Sequence, residues 1–214
     1  MRISLIIFGL VAIVHIAAIF LKKEKLRQIS KCFVIPPLLA VYIAGAENLL
    51  PFIIPALVLG WIGDVLLLKI EKSIFFKLGL ASFLLGHICY IIVFIGLLGE
   101  AGNINIPAIL IFTPPAIVLG AVVFRLIKPT KEMRIPVVFY MVILETMTLF
   151  GFQVFLFNPG ATGLLILSGC LCFMVSDTIL AYYTFRKLKL SGAVLIMAYY
   201  ILAQAEIVLG LMWL

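Results

Sequence analysis

The sequence predicts an all-α polytopic membrane protein, a bundle of eight transmembrane helices that forms a single integral membrane domain over residues 1–214. The composition is 65% hydrophobic and only 12% charged, and the mean hydropathy is +1.32. Apolar runs of roughly twenty residues, the length that crosses a bilayer, follow one another along the chain. All but one of the 16 Lys and Arg residues lie in or beside every second connection between these runs. The three observations together predict the membrane bundle and leave no room for a soluble domain.

Eight apolar segments can be placed in order. The first has no small-residue cleavage site and is followed by many others, so we expect a true span and not a removable signal peptide. Pro36 and Pro37 stand near the start of the second segment, where a helix tolerates proline best. The predicted segments are residues 3–21, 32–46, 49–68, 78–98, 106–127, 135–156, 161–185 and 191–214.

The connections alternate in charge. Residues 22–31, 69–77, 128–134 and 186–189 are basic, whereas residues 47–48, 100–105 and 158–160 contain no Lys or Arg. Because basic loops stay in the cytoplasm, this alternation predicts a multi-pass protein of the cell (inner) membrane with both termini outside the cytoplasm. The net charge of +7 is then a topology signal, and we expect no nucleic acid partner.

Two aspartates lie inside apolar segments, Asp64 in the third and Asp177 in the seventh. A charged side chain at the centre of a membrane helix costs about 2.5 to 3.5 kcal/mol on insertion scales, so such residues are functional candidates by default. Each aspartate follows a small residue, Gly63 or Ser176, and each lies one to two helical turns from the predicted cytoplasmic end of its segment. The sequence therefore predicts a functional site built around Asp64 and Asp177.

Further polar side chains fall at a similar depth, between the middle of the membrane and its cytoplasmic face. His87 could hold a carboxylate, relay a proton or simply bond a backbone carbonyl. Glu145 could be a third carboxylate, bind a lipid head group or pair structurally. No His/Cys cluster and no glycine-rich phosphate loop occurs, so we predict no metal and no cofactor. His15 is expected to be a structural histidine. The predicted supporting residues are His87, Tyr90, Glu145, Ser176, Tyr200 and Gln204.

A faint internal repeat runs through the chain at an offset of 113 residues. At this offset Asp64 matches Asp177, Gly79 matches Gly192, and His87 is replaced by Tyr200. Segments three and four fall in register with segments seven and eight. This register suggests a parallel repeat of four helices plus four.

Two carboxylates close together cannot both ionise readily, so one tends to keep its proton. Such a pair suits general acid and base catalysis, and it equally suits proton-coupled transport of a small or lipid-like solute. An intramembrane aspartyl protease is a further class, but the stretch Trp61-Ile62-Gly63-Asp64 lacks the first glycine of Gly-x-Gly-Asp.

These motifs together resemble the YhhN-like lysoplasmalogenase family of integral membrane hydrolases. The resemblance rests on Gly63-Asp64, Gly86-His87 with Tyr90, Ser176-Asp177, and Tyr200 with Gln204, in order on eight short-looped helices. It implies hydrolysis of the vinyl ether bond of lysoplasmalogen to a fatty aldehyde and a glycerophospho-base, with Asp64 and Asp177 as the catalytic pair. The implied partners are a lysophospholipid substrate and the bilayer. Head-group and chain preference, oligomeric state and the identity of the proton-donating aspartate stay open.

Overall fold

A computed structural model describes residues 1–100, 102–186 and 192–214, and within these ranges the chain is helical with no strand. Seven helical stretches there are long and apolar enough to cross a membrane, with α2 and α3 counted as one stretch. The prediction of an all-α membrane protein is confirmed. The helices are α1 Arg2–Phe20, α2 Glu24–Cys32, α3 Ile35–Gly45, α4 Ile53–Leu66, α5 Ser73–Glu100, α6 Ile106–Ile127, α7 Arg134–Phe157, α8 Ala161–Phe185 and α9 Ala193–Met212.

Helices α6 and α8 begin and end where the hydropathy pattern predicts, and α1 and α7 agree to within one residue at each end. These helices lie between turn residues such as Asn158-Pro159-Gly160, which mark their ends in the sequence. Four predicted features lie outside the described residues: Ala101 in the turn before α6, the basic residues Lys187 and Lys189, and Ser191 at the start of the last segment.

Residues 22–31 were predicted as a basic loop, and this prediction is wrong, because Glu24–Cys32 form the helix α2. Side-chain pairs at helical spacing stabilise it. Arg27 Nη2 lies 2.5 Å from Glu24 Oε1, and Gln28 Nε2 donates to the same oxygen at 2.8 Å. Pairs three and four residues apart stabilise a helix even when its residues are mostly polar. A charged stretch can therefore be a helix that precedes an apolar one.

Helix α4 has 14 residues and is shorter than the predicted segment 49–68. At 1.5 Å per residue it covers about 21 Å, against about 30 Å for the hydrocarbon core of a bilayer. A 3-10 turn over Leu67–Lys69 continues it. Because α4 is not among the seven long apolar stretches described, the count of eight spans is not confirmed. Helix α5, by contrast, begins at Ser73, five residues before the predicted segment.

The chain divides into two compact units. Unit 1 comprises Met1–Val93 with Leu211–Leu214, and unit 2 comprises Phe94–Gly210. Each unit has its own buried apolar core, with Val34, Leu38 and Leu57 in unit 1 and Met147 and Ile166 in unit 2. The single domain over residues 1–214 stays a prediction.

Small residues bring α4 and α5 close together in unit 1. A methyl group on Gly63 would lie 2.6 Å from the ring of Phe83, and one on Gly86 would lie 3.2 Å from the carbonyl oxygen of Ala56. The hydroxyl of Ser82 on α5 also donates to the carbonyl of Leu59 at 2.6 Å. Small residues and interhelical hydrogen bonds of this kind drive helix packing in membranes. These contacts determine which face of α4, the helix that carries Asp64, packs against α5.

Helices α8 and α9 pack antiparallel in unit 2. A methyl group on Gly169 would lie 2.9 Å from the carbonyl oxygen of Ala203. Further along, Ser176 Oγ donates to the carbonyl of Ile196 at 3.0 Å. Residues further along α8 therefore meet residues nearer the start of α9, which shows that the two helices are antiparallel. These contacts hold the part of α8 that carries Asp177 against α9.

Candidate functional site

Asp64 lies near the C-terminal end of α4 and is buried, with 2% of its side chain exposed. Lys31 Nζ, from the last turn of α2, lies 3.4 Å from its Oδ1. Lys31 is itself 11% exposed, and it is the only lysine or arginine among the buried side chains of the described ranges. Charged groups are almost never buried unless they are paired, so the two residues form a buried ion pair.

Three consecutive residues of α2 contact two other helices of unit 1. The hydroxyl of Ser30 makes a 2.8 Å hydrogen bond with His15 Nδ1 of α1. Lys31 faces Asp64, and the carbonyl of Cys32 accepts a 2.7 Å hydrogen bond from Trp61 Nε1. Because Trp61 and Asp64 are three residues apart, they lie on one face of α4. The end of α2 therefore determines the position of the aspartate through two contacts to the same helix.

His87 and Tyr90 lie on α5, also in unit 1, and both side chains are buried with 1% exposed. The preceding residue, Gly86, lies against the backbone of α4. Their burial places both side chains in the interior of unit 1, and their roles toward a substrate stay predictions. His15 is buried and hydrogen-bonded to Ser30, as expected of a structural histidine.

Asp177 lies on α8 in unit 2, is half-buried, and accepts a hydrogen bond at Oδ2 from the hydroxyl of Tyr140 on α7. Tyr140 is buried. The Tyr140 hydroxyl contacts this carboxylate, whereas the Lys31 ammonium group contacts Asp64. These two contacts differ in charge.

Three predicted supporting residues lie at the contact between α8 and α9. Ser176 is buried and bonds the α9 backbone, and the ring of Tyr200 packs edge-to-face on Phe173 with centroids 5.8 Å apart. Gln204 follows Tyr200 by one helical turn and is 1% exposed. Phe173 precedes Asp177 by one turn, so the aromatic pair lies close to the aspartate along the helix.

Glu145 lies on a different side of α7 from Tyr140. A methyl group on Gly120 of α6 would lie 2.5 Å from Glu145 Oε1, so this carboxylate faces α6. Five residues correspond to about 140° around a helix, which separates it from the side of α7 that carries Tyr140. Its predicted role stays a prediction. No group of three or more His, Cys, Asp or Glu residues in the described ranges could hold a metal ion.

Two residues at the aspartates were missed by reading the sequence, Lys31 and Tyr140. Lys31 was interpreted only as a topology signal, and Tyr140 received no role. Depth in the membrane is the signal that could have made both residues candidates. Lys31 immediately precedes the second apolar segment and Tyr140 is six residues into the sixth, at levels comparable to those of Asp64 and Asp177 on the following segments. An intramembrane carboxylate needs a donor at its own depth on a neighbouring helix.

The comparisons with known proteins give one family. A protein-family model described as the YhhN family matches residues 26–211. No curated protein and no solved structure matches the chain. The matched region includes Lys31, Asp64, Tyr140 and Asp177. The chain therefore belongs to the YhhN family, the lysoplasmalogenase-like family.

Proposed function

We propose that the protein hydrolyses the vinyl ether bond of lysoplasmalogens, giving a fatty aldehyde and a glycerophospho-base such as glycerophosphocholine or glycerophosphoethanolamine. The observation that carries this proposal is the family match over residues 26–211, which includes both intramembrane aspartates. The partners are then a lysophospholipid and the bilayer that delivers it, and the enzyme is an ether hydrolase.

The reaction needs one proton donor and one carboxylate. Protonation of the β-carbon of the vinyl ether leaves an oxocarbenium ion, which water attacks at the α-carbon. The resulting hemiacetal breaks its bond to the glycerol oxygen, so one water is consumed and the products are aldehyde and alcohol. A carboxylate stabilises the cation and orients the water, and a carboxylic acid supplies the proton. Asp64 and Asp177 are proposed for these two roles.

The buried polar side chains are proposed to bind or orient the substrate. His87, Tyr90, Tyr200 and Gln204 are buried, which supports an interior role. Ser176 holds α9 beside the aspartate, and Glu145 is the weakest candidate because it faces α6. The head group would lie toward the cytoplasmic side of the membrane, and the alkenyl chain would enter from the bilayer.

We further propose eight crossings, with α4 as the short one. Two contacts within unit 1 support this. The hydroxyl of Tyr42, late in α3, accepts a 2.7 Å hydrogen bond from the amide of Leu50, just before α4, and Trp61 near the other end of α4 bonds Cys32. Helix α4 thus returns along α3 to the level of α2. The basic stretches 22–31 and 69–77 then lie on one side, as the positive-inside rule requires.

With eight crossings both termini are outside the cytoplasm, in the cell (inner) membrane, and the whole chain is one integral membrane domain. Labelling of single cysteines introduced at Glu47 and Lys72 by an impermeant thiol reagent, in a variant whose native cysteines are replaced, tests the crossing. We expect Glu47 to react from outside and Lys72 only after lysis. Reaction of both from one side would contradict it.

A parallel repeat of four helices plus four fits two further observations. Lys31 lies 33 residues before Asp64, just ahead of the second predicted segment, and Tyr140 lies 37 residues before Asp177, within the sixth. Gly79 and Gly192, one repeat apart, each lie against a side chain near the end of the preceding helix, Leu67 and Tyr183. The repeat is proposed on these parallels within the two units.

The decisive experiment supplies purified protein with lysoplasmalogen and, separately, with an acyl lysophospholipid, and measures aldehyde against free fatty acid. We expect aldehyde from the first and no fatty acid from the second. Asp64→Asn and Asp177→Asn should each lower aldehyde release by about 100-fold or more, the range of a positioned acid or base. Glu71→Gln, an exposed carboxylate seven residues after Asp64, is the matched control and should stay active.

Proton-coupled transport of a small or lipid-like solute is the alternative, since buried acidic side chains on membrane helices also carry protons. It predicts no aldehyde and solute uptake into vesicles driven by a proton gradient. Aldehyde release that is independent of any gradient would exclude it.

A further inference from the structure

Lys31 belongs to the most basic stretch of the chain, yet its environment differs from that of the other lysines there. Lys22, Lys23 and Lys25 are exposed, as a topology signal should be, whereas the Lys31 side chain is only 11% exposed. Burying an ammonium group is costly unless a partner compensates for the lost hydration. The partner here is Asp64 Oδ1 at 3.4 Å. A topology signal requires no such burial, so Lys31 has a second role.

The position of the ammonium group is determined by tertiary contacts. Trp61, one turn before Asp64, bonds the carbonyl of the residue that follows Lys31, and His15 bonds the residue that precedes it. The residues on both sides of Lys31 are therefore held to α4 through the Cys32 carbonyl and to α1 through the Ser30 hydroxyl. An ion pair held on both sides by hydrogen-bonded neighbours loses less side-chain entropy than an exposed pair. The Lys31 ammonium group is therefore a positive charge at a fixed position beside the Asp64 carboxylate.

We propose that Lys31 is a positioning residue that holds Asp64 as the ionised carboxylate of the reaction. A nearby opposite charge favours the charged form of an acid, and a carboxylate is the form that stabilises an oxocarbenium ion. With Asp64 as the carboxylate, Asp177 is the residue that donates the proton to the vinyl ether. The assignment of catalytic roles rests on the proposed hydrolysis. The charge state of Asp64 is independent of it.

Difference infrared spectra of the wild-type protein and Asp64→Asn at neutral pH test the charge state without any substrate. The C=O stretch of a protonated carboxyl lies apart from the amide bands. We expect no such band to be lost in Asp64→Asn. In Lys31→Met the band should appear, and it should be absent again from the double variant Lys31→Met with Asp64→Asn. A protonated Asp64 band in the wild-type protein would overturn the proposal, even if Lys31→Met does not fold.

Turnover of lysoplasmalogen tests the consequence. Lys31→Met should lower kcat by about 100-fold, within the range of a positioned acid or base, and Lys31→Arg should recover it to within about tenfold because the positive charge is kept. Lys25→Met removes the same charge from an exposed position on the same helix and should leave kcat unchanged. Equal activity of Lys31→Met and Lys25→Met would contradict the positioning role. If the wild-type protein releases no aldehyde, the proposed hydrolysis fails, and the spectra still decide whether Lys31 keeps Asp64 ionised.

Discussion

The two intramembrane aspartates occupy different surroundings although their sequence contexts look alike. Asp64 is buried and faces the ammonium group of Lys31, which belongs to the short and largely polar helix α2. Asp177 is half-buried and accepts from the hydroxyl of Tyr140 on a long apolar helix. One partner carries a full charge and the other does not. Asp64 is thus contacted by a lysine of α2, two helices earlier in the chain, and Asp177 by a tyrosine of α7, the helix that precedes its own.

Breaking the ion pair at Asp64 should have the largest effect on stability. Without Lys31 the buried Asp64 must take up a proton and loses its partner, so Lys31→Met should lower the free energy of unfolding in detergent by about 3 to 5 kcal/mol, the cost of removing one member of a buried ion pair. The double variant Lys31→Met with Asp64→Leu replaces both charges by apolar groups and should recover most of this loss. Denaturant titration of the two variants and the wild type checks the cycle. A double variant as unstable as the single would show that the pair is not coupled.

The corresponding change at Asp177 is Tyr140→Phe, which removes one hydrogen bond and no charge. We expect a loss of about 1 to 3 kcal/mol in the free energy of unfolding, the cost of leaving a polar group without its donor. Aldehyde release should fall by about tenfold, the equivalent of 1.4 kcal/mol. Tyr182→Phe, on a tyrosine that is partly exposed, serves as the control. A loss for Tyr140→Phe as large as that for Lys31→Met would remove the proposed contrast between the two aspartates.

A smaller effect is expected from the residue beside Asp64. Gly63→Ala puts a methyl group 2.6 Å from the Phe83 ring, so the ring or α5 must move. Overpacking of this kind costs about 1 to 3 kcal/mol, offset in part by the better helix propensity of alanine. Gly9→Ala on α1, where a methyl group meets nothing within 4 Å, should be neutral or stabilising. Thermal unfolding of both variants checks the prediction, and a Gly63→Ala protein as stable as Gly9→Ala would show that the contact is not close.

Long apolar runs were easily predicted, and short or charged elements were not. Helices α6 and α8 begin and end at the predicted residues because a bilayer requires about twenty apolar residues and turn residues end them. Helix α2 was missed because hydropathy ignores side-chain pairs such as Glu24 with Arg27. Helix α4 is shorter than its apolar run because residues 49–52, which include Pro51, do not join the helix. Hydropathy predicts what can enter the membrane, and hydrogen bonding decides which of those residues are helical.

The sequence by itself determined the membrane class, the helical content and the two aspartates as candidates, because an apolar run and an acidic residue inside it are both visible in consecutive residues. Tertiary structure alone decided which donor each aspartate meets. Lys31 and Tyr140 are 33 and 37 residues from their partners, and a contact over that separation depends on how neighbouring helices pack and rotate. Close approach at glycines and hydrogen bonds from serine and tryptophan side chains determine how the helices pack. Periodicity and composition do not give these contacts, so they could not give the partner of each carboxylate.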